Sequence, residues 1–169
     1  MRENFDVAFK HVLKSEGGFT NDPVDPGGMT NLGITLAEWQ HYVGHIVNEK
    51  EMRSLTPEKV KPLYKYKYWN AVAGDDLPKG IDYLLFDFGV NAGPGRAVKI
   101  MQECVGAKKD GVIGPRTISA IKAIDAVQLI DEYTVAKKEY YKSLSTFWKF
   151  GKGWFNRCDE VATIAKGMI

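Results

Sequence analysis

Cysteine is scarce in this chain of 169 residues, which has only Cys104 and Cys158. They stand too far apart for a zinc-ligand spacing, and such a pair neither demands nor excludes a disulfide, so buried free thiols are the expected state. Histidine is nearly as rare. Of His11, His41 and His45, the last two stand four apart but lack between them the glutamate that gives a metallopeptidase helix its base. Neither a metal nor a cofactor is expected. No apolar run is long enough to cross a membrane, which argues against stable insertion. The opening stretch MRENFDVAFKHVLKSEGG scatters charges among its apolar residues, so no signal peptide is visible. We therefore expect a protein made in a cytoplasm that relies on another agent to act outside it. An excess of one charge is also missing: the net +2 divides into −3 over residues 1–95 and +5 over residues 96–169. A mildly basic half suits an anionic polymer, yet charge of this size is usually a solvated face, and without a recognition motif it does not indicate nucleic acid.

What is present is the balance of a globular protein, 44% hydrophobic and 26% charged. A chain of this length buries roughly 70% of its unfolded surface and folds without staples. Phe5, Ala8, Phe9, Val12 and Leu13 recur at helical spacing and predict an amphipathic first helix, stopped by Gly17 and Gly18. From Phe19 to Ile34 the prolines, glycines and Asn/Asp predict turns, with short strands around Phe19-Thr20 and Met29–Ile34. Asp25-Pro26-Gly27-Gly28 suits a type II turn. Thr35-Leu36-Ala37-Glu38 is a capping box that starts a helix ending near Gly44. Thr56-Pro57 starts another, bent early by Pro62 and running to Tyr68-Trp69. Residues Tyr83 to Ala92 are apolar on nearly every side apart from Asp87 and Asn91, which marks a buried helix. Gly93-Pro94-Gly95 closes it. Further helices are expected after Pro94, after Pro115, from Asp125 to Leu144, and around Phe155 to Lys166. The fold class is mostly α, with one small irregular β-hairpin.

The chemistry is concentrated where the first helix ends. Inverting cleavage of a glycosidic bond needs a carboxylic acid that protonates the leaving oxygen and a second polar group that holds water on the opposite face. Glu16 follows the negative end of a helix macrodipole, which disfavours its ionised form and suits it to the acid's role. Asp25 and Thr30, in the glycine-rich stretch beyond, are candidates to hold the water. Taken singly, a carboxylate at a helix end, an aspartate before proline and a threonine in a strand are ordinary turn chemistry.

Their order and surroundings carry more. Glu16-Gly17-Gly18-Phe19, Asn21-Asp22-Pro23, Asp25, Gly27-Gly28, Thr30-Asn31 and Gly33-Ile34-Thr35 together resemble glycoside hydrolase family 108, the N-acetylmuramidases of phage endolysins and secretion-assisting bacterial enzymes. The resemblance continues in Tyr68-Trp69, in Leu85-Phe86-Asp87 and in Val90-Asn91-Ala92-Gly93. Asp110-Gly111-Val112-Ile113-Gly114-Pro115-Arg116-Thr117 is similar to the peptidoglycan-binding region that follows this catalytic part. The resemblance implies a lysozyme-like helical fold with C-terminal helices packed on it. It also implies hydrolysis of the β-1,4 bond between N-acetylmuramic acid and N-acetylglucosamine, with Glu16 as acid. Asp25 and Thr30 match by order the water-holding pair of phage lysozymes, and Asp22 is the alternative to Asp25.

On this reading residues 1–94 form the catalytic region and residues 95–169 a helical peptidoglycan-binding region. Asn91 is a candidate to bind an N-acetyl group or a sugar hydroxyl, against a capping or buried hydrogen-bonding role beside Gly93. Tyr68 is a candidate to stack on a sugar, and Trp69 is assigned to packing. Arg116 and Thr117 could contact wall polymer, although Asp-Gly followed by Gly-Pro is first a turn that launches a helix. The expected partner is bacterial peptidoglycan, reached from the host cytoplasm with the help of a holin or export factor. A monomer is expected. Two competing readings are a lytic transglycosylase, which needs no water-holding group, and a noncatalytic wall-binding helper of secretion.

Overall fold

The computed structural model describes residues 2–25 and 27–169. The chain forms two compact units, one of Asp6–Lys67 and one that joins the residues up to Phe5 to Tyr68–Ile169. It is mostly helical with a small antiparallel sheet, the lysozyme-like class that the resemblance implies. Pro26, on which the expected type II turn pivots, lies outside the described residues.

The first helix, α1, spans Arg2–Ser15. Its apolar stripe is buried as the spacing requires, with Phe5, Ala8, Phe9 and Val12 each at most 4% exposed. Within the Asp6–Lys67 unit the described residues then make three strands, β1 (Thr20–Asn21), β2 (Met29–Asn31) and β3 (Ile34–Thr35). They pair antiparallel in the order β1-β2-β3, with Thr20 opposite Thr30 and Thr30 opposite Thr35. The sheet thus has one strand more than the expected hairpin. Leu32 and Gly33 divide the stretch Met29–Ile34, both at positive φ, 51° and 76°, and reverse the chain between β2 and β3. Position 32 holds that left-handed conformation without being glycine, a strain that its neighbours must offset.

Helix α2 (Leu36–Val43) starts at the capping box, both halves of which form, and ends at Gly44 with φ 78°. Helix α3 (Glu49–Arg53) is capped by Asn48. It had no apolar period to announce it, being a single charged turn tied to β2 where buried Asn31 donates to the Met52 carbonyl at 2.8 Å. Helix α4 (Pro57–Tyr64) has Thr56 as its cap. Pro62 does not end it; the helix continues and then widens into one π turn over Lys65–Trp69, an arrangement in which the i→i−4 ladder is relaxed.

In the other unit, helix α5 (Ile81–Ala92) is buried without interruption from Ile81 to Gly89. It packs against α6 (Pro94–Val105), α8 (Ala126–Lys142) and α9 (Phe147–Gly167). Each apolar side chain that it buries contributes about 2 kcal/mol of transfer free energy. Trp69, fully buried, meets Phe5 and Phe86 and donates its indole N–H to Asp75 at 3.0 Å, so its assignment to packing holds. Helix α9 begins eight residues before the expected start. Its first turns contain Gly151 and Gly153, which depress helix propensity, but the Phe147 ring lies where a Cβ on Gly151 would stand, and the close packing that glycine permits replaces the lost propensity.

Buried Asp82 and Gln102 in this unit each meet several partners. Asp82 accepts from the Gly80 and Tyr83 amides at 2.9 and 2.7 Å and from Asn4 at 3.1 Å; burial pushes its carboxyl up despite these donors. Gln102, fully buried, organises the Asp110–Thr117 segment. It donates to Asp110, the Val112 carbonyl and Thr117 and accepts from the Gly111 amide at 2.9 Å. One amide side chain thereby fixes the turn that launches α7 (Pro115–Lys122). Cys104 and Cys158 are free thiols; burial pushes the Cys104 thiol up to about 11.

Candidate active site

Glu16 stands one residue past the end of α1, half-buried, its amide donating to the Leu13 carbonyl at 3.1 Å to finish the last turn. The chain then runs back beside the β2–β3 reversal, where the Leu32 amide donates to the Gly17 carbonyl at 3.0 Å. This hydrogen bond brings the helix end and the reversal together. Gly33 is pressed against the acid: a Cβ on it would stand 2.6 Å from Glu16 Oε2 and 2.5 Å from the Tyr64 hydroxyl. Glycine is needed at position 33 both for its positive φ and for this approach. Tyr64, from α4, donates to the Leu32 carbonyl at 2.7 Å.

Thr30 is half-buried on β2, and its hydroxyl shares a hydrogen bond of 2.6 Å with that of Thr20 across the strand pair. Asp25 is exposed. Its carboxylate accepts from the Gly27 amide at 2.8 Å, and its carbonyl accepts from Gly28 at 3.0 Å. Asp22 does the same for Val24, at 2.9 Å. Both aspartates, exposed to solvent, therefore brace their own turns through one oxygen. Phe19 is half-buried, with the Arg53 guanidinium 4.0 Å above its ring.

Tyr68 and Asn91 belong to the other compact unit. Tyr68 is half-buried in the π turn. Asn91 is exposed at the end of α5 and donates to Asp87 at 3.5 Å, while Asp87 itself is buried and bound by Arg157 at 2.5 Å. The Asn91 amide is thus only weakly engaged by its own helix. Arg116 is exposed and Thr117 buried against Gln102, so of that pair only the arginine faces solvent. A groove of about 720 Å³ beside α6 and α8 is lined by Arg96, Lys99, Glu103, Lys109, Glu139 and Tyr140. Among the described residues no group of three or more His, Cys, Asp or Glu is placed to hold a metal ion.

Sequence reasoning overlooked the two residues that crowd Glu16. Gly33 is legible as part of the glycine-rich pattern, but nothing local places it against a carboxyl that lies far back along the chain. Tyr64 is legible only as one apolar position of a helix. A tyrosine on the buried face of a helix offers one signal, since its hydroxyl requires a polar partner inside.

The family model for glycosyl hydrolase 108 matches residues 9–93, and that for a predicted peptidoglycan domain matches residues 96–159. The chain is similar to the solved structure of Brucella abortus SagA, with 43% identity and a TM-score of 0.87, covering 99% of this chain and 97% of that one. No curated protein matches it.

Proposed function

Because the chain belongs to glycosyl hydrolase family 108, we propose that it is a muramidase that cleaves the β-1,4 bond between N-acetylmuramic acid and N-acetylglucosamine with inversion. Glu16 donates its proton to the glycosidic oxygen as an oxocarbenium-like state develops, and water held by Asp25 and Thr30 attacks the opposite face. The observation that carries this reading is the Glu16 carboxyl lodged at the helix end against Gly33, within the part matched by the hydrolase model. The exposed Asp25 carboxylate and the Thr30 hydroxyl, which shares its hydrogen bond with Thr20, are the groups that we assign to the water. Peptidoglycan is the partner, and the second matched region supports engagement of the wall.

Purified sacculi test the proposal. The wild-type protein releases new reducing ends, and Glu16→Gln loses about 1000-fold in rate while keeping its circular dichroism. An active Glu16→Gln sinks the mechanism. Fragments carrying an added water identify hydrolysis; 1,6-anhydro ends, lighter by one water, identify a lytic transglycosylase instead. The physiological role that we assign is wall opening of the endolysin type, reached through a holin or export partner. Co-production with a holin then lyses cells that production alone leaves intact.

A further inference from the structure

The Tyr64 hydroxyl has one proton to donate, and it goes to the Leu32 carbonyl at 2.7 Å. A carbonyl can only accept, so this assignment leaves the phenol oxygen with lone pairs for its other neighbours. One of those neighbours is indicated by Gly33. The place where its Cβ would stand lies 2.5 Å from the Tyr64 oxygen and 2.6 Å from Glu16 Oε2, so phenol and carboxyl converge on the same glycine. Tyr64 is held firmly there. It is 1% exposed, and its ring meets Phe9 of α1 edge-on at 5.4 Å.

We propose that Tyr64 is a positioning residue for Glu16, its hydroxyl oxygen accepting a hydrogen bond from the protonated carboxyl and so holding the acid neutral and aimed. The inference rests on Glu16 being the general acid. An ionised carboxylate has no proton to give to the phenol, so this contact exists only in the neutral form and favours it. Among the other ionisable side chains of the surrounding elements, Lys61 of α4 pairs with Asp6 of α1 at 2.6 Å, Lys67 pairs with Glu38 of α2, and Asp22 and Asp25 beside the strands brace their turns. His11 and Lys14 precede Glu16 on α1.

The experiment compares pH profiles of kcat and KM on purified peptidoglycan for wild type, Tyr64→Phe and Glu16→Gln, with Glu16 followed by carboxyl-carbon NMR in the first two. Tyr64→Phe is expected to leave KM within about twofold, to move the alkaline limb of kcat down by about one pH unit, and to lower kcat at pH 7 about tenfold, since above its midpoint an acid whose pKa falls by one loses about nine-tenths of its protonated form. A limb that stays in place, or moves up because the phenol had been donating to the carboxylate, overturns the inference while an inactive Glu16→Gln leaves the general acid standing. An active Glu16→Gln overturns both. Should Tyr64→Phe fail to fold, the wild-type titration decides: Glu16 titrating at or below the ordinary value of about 4.3 overturns the inference, and a higher value supports it.

Discussion

The aspartates of the strand segment in the Asp6–Lys67 unit bind to their own turns, whereas buried Asp82 and Asp87 of the helical unit that contains Tyr68–Ile169 bind partners far along the chain. Asp22, Asp25 and Thr35 each accept from an amide two or three residues away. Asp87 and Arg157 meet over seventy positions, and Asn4 and Asp82 over seventy-eight. Local pairs form as soon as the chain turns. Distant pairs need the whole core in place, and they make that core specific.

The contrast between the units breaks most visibly at position 33. Gly33→Ala places a Cβ against the Glu16 carboxyl and is expected to cost about 100-fold in kcat by displacing the acid, with little loss of helix content; steady-state kinetics beside circular dichroism check it. In the helical unit the equivalent attack lowers stability instead. Asp87→Ala removes a buried carboxylate that pairs with Arg157 and attracts buried Lys137 and is expected to destabilise by about 3 kcal/mol, read in denaturant melts. Gln102→Ala removes the fastening of the Asp110–Thr117 segment and should cost about 2 kcal/mol, with faster amide exchange at Gly111 as the local sign.

Lys137 sharpens the contrast through pH. Burial holds its ammonium below the usual value, against the pull of Asp87. Between the lowered value and the ordinary one the unfolded chain binds the extra proton, so this group makes stability rise with pH up to the ordinary lysine value. Lys137→Met is expected to flatten the rise and to gain about 1 kcal/mol at pH 7, provided that Arg157 still neutralises Asp87. The smallest effect is chemical. With its thiol pushed up to about 11, Cys104 should alkylate far more slowly in the native protein than in denaturant at pH 8, as mass spectrometry would record.

Glu16 was legible as a candidate through its place at a helix end and through the family resemblance of the whole run from Glu16 to Thr35. The caps at Thr35, Thr56 and Asp125 were legible as local patterns, each side chain accepting from an amide three residues on. The third strand was not, because Leu32 carries no turn preference that would mark a break between Asn31 and Ile34; the division arises from two consecutive left-handed residues. The early start of α9 was hidden by Gly151, whose low propensity is overruled by contact with Phe147.

The sequence by itself determined the helices that carry an apolar period, their caps and the buried course of α5, since each follows from periods and pairings within a few residues, and its family resemblance marked the candidate acid. Only the tertiary structure decided what stands beside that acid. Tyr64 reaches the Leu32 carbonyl over thirty-two positions, and no local pattern encodes a meeting fixed by how α1, the strands and α4 fill one shared core.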